Sequence, residues 1–278
     1  MPRASSQAHL ELISEPPMAI HPPPHPLTPP TLAQRLAWPA AVALAPLLLR
    51  QGRQVRRLFP KMPPAPGPSD GSLKGPDPIH VLGVGDSTVV GVGVNDAALG
   101  LIPQFSQALH EHCGRGVSWR SVGESGATSK DILAQFLAEA PGASASVVFV
   151  SLGANDAKDL KPLRATISRF ERLTDALHAA HPEATMLFSS LPAFNQFPTL
   201  PQPLRGLLYA HAQAIERSLR PLIEARPFAL MSPPPSKYSD GFFAPDGFHP
   251  SITGYRDWAR FALTDALQRG ALAHLARR

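Results

Sequence analysis

From Ile79 onwards, short apolar runs alternate with longer stretches of helical period, and this alternation constrains the chain more than any other feature. Runs of strand length fall at Ile79 to Gly85, Val117 to Val122, Ser146 to Leu152, Ala184 to Ser190 and Phe228 to Met231. Helical spacing of apolar residues covers Leu101 to Cys113, Ser129 to Ala140, Leu160 to Ala180, Leu204 to Glu224 and Ile252 to Ala273. This order predicts a mostly parallel sheet of about five strands with helices on both faces, a three-layer α/β/α fold. In such sheets ligands gather at the carboxyl ends of the strands, so polar motifs are to be sought there.

The first 78 residues do not share the pattern. They hold 18 of the 33 prolines, in runs such as PPPHPLTPP and PKMPPAPGP, and a segment so rich in proline with little apolar periodicity builds no packed core. The chain therefore divides into a Pro-rich extension, residues 1 to 78, and one globular domain, residues 79 to 278. Residues 1 to 30 and 60 to 78 read as extended or disordered. Between them, at 36–57, lies a short apolar and basic segment. Its uncharged part, Leu36 to Leu49, is short of the ~20 residues that a helix needs to span a bilayer, and it contains Pro39 and Pro46. Arg50, Arg53, Arg56 and Arg57 follow directly. The combination predicts peripheral membrane contact and no span. No secretory signal is recognised, and by the positive-inside tendency the basic cluster keeps the domain cytoplasmic, at the inner face of the membrane.

Charge excludes one function class. Residues 1 to 78 carry eight Lys/Arg against four Asp/Glu, a surplus of four out of the total of +5, so the domain itself is close to neutral and presents no nucleic-acid face. Cys113 is the only cysteine, which excludes an intrachain disulfide or a cysteine-based metal site, and its setting predicts a buried thiol. His110 and His112 sit two apart, the wrong spacing for a metal pair on a helix.

Three strands end in small polar groups. The first runs into Gly85-Asp86-Ser87, where glycine lets the chain turn and present a side chain at the sheet edge. A dinucleotide fingerprint would require a third glycine after Gly83 and Gly85, and a phosphate-binding loop would require a lysine; both are missing. The second is followed by Gly123 and Gly126, the third by Gly153, Asn155 and Asp156. Each alone is an ordinary helix start. Near the C-terminus, FFAPDGFHPS holds Asp246 three residues from His249 in a loop stiffened by Pro245 and Pro250.

Taken in order, these four blocks resemble the GDSL, or SGNH, hydrolase family, over about Ile79 to the end of the last helix. Thr88 stands where the family motif has leucine. The resemblance implies a flavodoxin-like fold, Ser87 as nucleophile, His249 as its general base and Asp246 as the residue that orients the imidazole. It implies an oxyanion hole made of the Ser87 and Gly126 N–H groups and the Asn155 amide. No metal or cofactor is implied. Asp86 and Asp156 are read as groups that fix their turns by hydrogen bonds.

The loop LPAFNQFPTLPQPLR is apolar and should overhang the same crevice, with Phe194, Phe197 and Leu200 against an acyl chain or covering the sheet edge. The expected activity is hydrolysis of small acyl esters or thioesters, such as lysophospholipids or short-chain lipids, through an acyl-enzyme. A carbohydrate O-deacetylase or an acyltransferase could use the same site. A non-catalytic membrane-surface protein on this fold would be expected to have lost Ser, His or Asp, and none is lost.

Overall fold

A computed structural model describes Leu32, Pro39 and residues 42–58, 62–138 and 144–275. Its elements in chain order are α1 (Ala45–Leu58), β1 (Asp70–Leu73), β2 (Ile79–Gly85), α2 (Leu101–Cys113), β3 (Val117–Gly123), α3 (Ser129–Ala138) and β4 (Val147–Ser151). There follow α4 (Ala154–Lys158), α5 (Leu163–Ala180), β5 (Thr185–Phe188), α6 (Leu204–Glu224), β6 (Ala229–Met231) and α7 (Ile252–Gln268).

The sheet has six strands in the order β1-β3-β2-β4-β5-β6. β2 to β6 are parallel neighbours and form the five strands expected, while β1 adds antiparallel to β3 at one edge. This sixth strand corrects the reading of residues 60 to 78 as lying outside the domain. From residue 62 on they are bound to it: Ala65 N–H donates to Val90 O, Ala97 N–H to Pro66 O, and Ser121 N–H to Ser69 O, while residues 60 and 61 lie outside the described residues. The sheet thus begins at Asp70, before the boundary set at Ile79. Residues 1 to 30 lie outside the described residues.

Parallel strands buried on both faces must be apolar at every position. β4 meets that condition from Val147 to Val150, before the polar Ser151 at its end, and its side chains divide by the strand's period of two. Val147 and Phe149 join the core beneath α2 and α7, with Phe105, Leu109, Tyr255 and Ala259. Val148 and Val150 join the core on the opposite face, with Phe170 and Leu173 of α5 and Ile215 and Leu219 of α6. Cys113 is buried, as expected.

The helix expected over Leu160 to Ala180 begins three residues later, at Leu163, and the short α4 precedes it as a separate element. Between them Leu160 adopts φ 53°, outside the helical region, and Pro162 precedes the first residue of α5. Of the segment read as apolar between Leu36 and Leu49, Ala45 to Leu49 belong to α1, which runs on through the four arginines. Among the described residues no helix is long and apolar enough to cross a membrane.

Phe149 is 1% exposed and meets Phe105 edge-on at a centroid distance of 5.0 Å. Phe149→Ala is expected to destabilise the domain by ~3–5 kcal/mol through the cavity it leaves, read as a lower urea midpoint with an unchanged slope.

Candidate active site

The carboxyl ends of β2, β3 and β4 approach each other so closely that Gly85 has no room for a side chain, since a Cβ there would collide with the Ser151 carbonyl oxygen. The same carbonyl accepts Asp86 N–H at 3.1 Å and pins the start of the turn. Asp86 folds back over it: its Oδ1 accepts Thr88 N–H at 3.2 Å and lies 3.1 Å from the Thr88 hydroxyl. Thr88 Oγ1 is 2.7 Å from Ser151 Oγ, which is 3.4 Å from Ser189 Oγ, so a chain of hydroxyls runs beneath the turn. Ser87 O accepts Val92 N–H at 2.9 Å. Ser87 is left at the crevice wall, 9% exposed.

Burial pushes the Asp86 carboxyl up to about 6, against the lowering effect of the Thr88 hydrogen bonds and of nearby His249. The reading of Asp86 as a turn-fixing group agrees with these contacts. Asp156 fixes a different element from its own: its carboxylate accepts Ser129 N–H at 2.8 Å and the Ser129 hydroxyl at 2.7 Å, holding the start of α3 against α4. Burial raises its carboxyl too.

Asn155 is buried in the first turn of α4. Its Nδ2 donates to Ala127 O at 3.0 Å and lies 3.5 Å from Asp86 Oδ2, the outer limit of a hydrogen bond. One of its two N–H bonds is therefore firmly engaged and the other only weakly. Gly126 lies in the turn between β3 and α3, and a side chain there would meet no atom within 4 Å.

Asp246 and His249 form a closed unit. His249 Nδ1 lies 2.6 Å from Asp246 Oδ2, and Asp246 Oδ1 accepts the N–H groups of Phe248 and His249, each at 2.9 Å. Burial alone would raise this carboxyl; the His249 ring and the two amides outweigh it and hold the group below its ordinary value. The loop rests on the glycine-rich segment after Ser87, a contact that sequence reasoning did not find. Gly93 has φ 108°, and a Cβ on it would strike Pro250 O and crowd His249 Cβ. One residue earlier, Val92 O accepts the Tyr255 hydroxyl at 2.7 Å. The strand ends thus carry one half of the site and the loop before α7 the other.

Ser87 and His249 line one crevice, whose other walls are largely apolar: Pro192, Phe197, Tyr238, Phe242, Trp258 and Phe261 among them. Of the three residues expected at an acyl chain, only Phe197 is there. Phe194 and Leu200 are corrected to core positions, with Phe194 fully buried and packed on Phe197 at 5.0 Å. Much of the wall comes from Tyr238, Phe242, Trp258 and Phe261, which flank the Asp246–His249 block in the chain but carry no motif of their own.

Residues 84–256 match the family model described as GDSL-like Lipase/Acylhydrolase. No curated protein sequence matches significantly. Among solved structures, a lipase from a goat rumen metagenome shares 17% identity, with 67% of this chain and 97% of that one covered at a TM-score of 0.54. A family 3 carbohydrate esterase of Clostridium thermocellum shares 18%, over 72% of this chain and all of that one, at 0.54. The esterase EstA of a Pseudoalteromonas species, in a structure inhibited by monoethylphosphonate, shares 17%, over 68% and 97%, at 0.51.

A buried carboxyl whose folded value lies above its unfolded one holds its proton more tightly when folded, so its cost to stability appears as pH rises and is complete above the folded value. For Asp86 that window runs from about pH 4 to about 6. The wild type is expected to lose ~3 kcal/mol relative to Asp86→Asn across it and to run parallel above it, measured by urea unfolding at each pH.

Proposed function

The chain belongs to the GDSL-like lipase/acylhydrolase family, and from that premise we propose that it is a serine esterase that hydrolyses esters or thioesters of a hydrophobic acyl group. The observation that carries the acyl preference is the wall of the crevice. Proline and aromatic side chains make up most of it, with Ser87, Thr88, Ser190 and His249 supplying its polar edge. Apolar walls favour an alkyl chain through burial of its surface, at about 25 cal/mol per Å², and offer few partners to the hydroxyls of a sugar.

In this reading the Ser87 hydroxyl attacks the acyl carbon while His249 Nε2 takes its proton. The Asp246 contact at Nδ1 fixes the tautomer that leaves Nε2 free to accept and stabilises the imidazolium that forms. Negative charge gathers on the former carbonyl oxygen. The N–H groups of Ser87 and Gly126 donate to it, and Asn155 turns toward it the N–H that is only weakly held by Asp86 in the resting site. His249 then returns the proton to the leaving alcohol or thiol. Water, activated in the same way, releases the acid.

A series of nitrophenyl esters from acetate to palmitate tests the substrate class, with turnover per KM expected to rise beyond acetate. Faster cleavage of sugar acetates than of any longer acyl ester would instead favour a carbohydrate deacetylase. Ser87→Ala is expected to remove ~10⁴-fold or more of kcat, and Asn155→Ala ~10²–10³-fold with KM little changed. Gly93→Ala, which displaces the seat of His249 without touching substrate, should lower kcat by about 10²-fold while the circular dichroism spectrum is unchanged.

A further inference from the structure

We propose that α1 is a docking face for anionic lipid surfaces, set beside the wall of the acyl crevice. The helix has two sides. One is fixed to the domain: Leu48 is 8% exposed, Val55 packs on the core that contains Phe197 and Leu200, and the Gln51 side chain bonds to Gln202 O and Leu204 N–H at 2.6 and 3.2 Å. These positions recur three and four apart and define a single stripe.

The opposite side is basic. Arg50, Arg53 and Arg57 follow the same spacing on it and, with Gln54, surround one shallow open depression. Helix α1 has no acidic residue, and none of its four arginines is ion-paired among the described residues.

A second observation distinguishes the partner. Six large apolar side chains are exposed among the described residues, and four of them are Val42, Leu44, Leu47 and Leu49, immediately before and within the first two turns of α1. The rest of the described surface contributes only Leu32 and Ile252. A helix that offers leucines at one end and an unneutralised arginine stripe along its outer side fits a surface with negative headgroups over an apolar interior, where both kinds of residue are satisfied. Nucleic acid would satisfy the arginines and leave the leucines in water. The placement adds a purpose, which alone rests on the acyl-ester reading: the loop between β5 and α6, which α1 grips at Gln202, also supplies Phe197 to the crevice.

Co-sedimentation of the full-length protein with vesicles tests the docking face. Binding is expected to phosphatidylcholine vesicles that contain phosphatidylglycerol, to weaken with added salt, and to be much weaker to pure phosphatidylcholine. Arg50→Gln, Arg53→Gln and Arg57→Gln combined should weaken it on the order of 100-fold. Leu47→Ser with Leu49→Ser should remove the part that salt leaves behind. Both variants should keep the wild-type urea midpoint and the wild-type turnover of a soluble ester. Should the arginine variant prove unfolded, the leucine pair decides. Wild-type protein that ignores anionic vesicles, variants that bind as the wild type does, or tighter binding to duplex DNA than to these vesicles at equal salt would each overturn the proposal. A protein that binds vesicles but cleaves no acyl ester would leave the docking face standing and remove the substrate assignment.

Discussion

The close approach of three strand ends is the constraint on which the rest of the structure depends. Gly85 is paired in register with Gly123 on one side and with Ser151 on the other, and backbone atoms occupy the space where side chains would stand. The turn that follows has no freedom to drift, because Asp86 is fastened to Ser151 on leaving the sheet and its carboxylate is fastened to Thr88 two residues on. A serine in that turn is presented by the sheet itself. Burying Asp86 costs stability, and the return is a fixed position for the side chains that converge beside it.

The second half of the candidate site is built on a different logic. The Asp246–His249 loop satisfies its own polar groups, with one carboxylate taking two amides and an imidazole. Such a unit is rigid within itself but has to be located against the sheet. Tyr255, fully buried at the start of α7, and Gly93, which admits the loop's backbone at close range, locate it. Two independently rigid pieces meeting across one contact make that contact the most sensitive part of the geometry.

How much of this was legible in sequence follows from which interactions are local. The bounds of β2, α2 and α6 coincide with the periodic runs Ile79 to Gly85, Leu101 to Cys113 and Leu204 to Glu224 because each has a strong, uninterrupted pattern. β1 was illegible, since Asp-Gly-Ser-Leu has no strand pattern and exists as a strand only through its pairing with β3. The four motif blocks could be read because each sits at the end of an element. Their mutual placement, and the apolar wall made by Tyr238, Phe242, Trp258 and Phe261, depends on how α7 and the loop before it fold onto the sheet. Phe194 and Leu200 were misjudged for the same reason: an apolar loop shows that something is covered, but not which side chains turn inward.

The grip of α1 on the β5–α6 loop has a consequence for the longest helix of the domain. At the start of α6 the flanking residue is Pro203, which provides no side-chain cap, and the first helical N–H, that of Leu204, is taken instead by Gln51 Oε1. A residue 153 positions upstream therefore performs the duty that Ser or Asp usually performs from the adjoining position. A chain trimmed to the sheet alone, starting at Asp70, would keep every strand and every motif and yet leave that helix start bare, directly beside the loop that carries Phe197. The Pro-rich extension, though its composition builds no core, thus contributes a capping group to the catalytic domain.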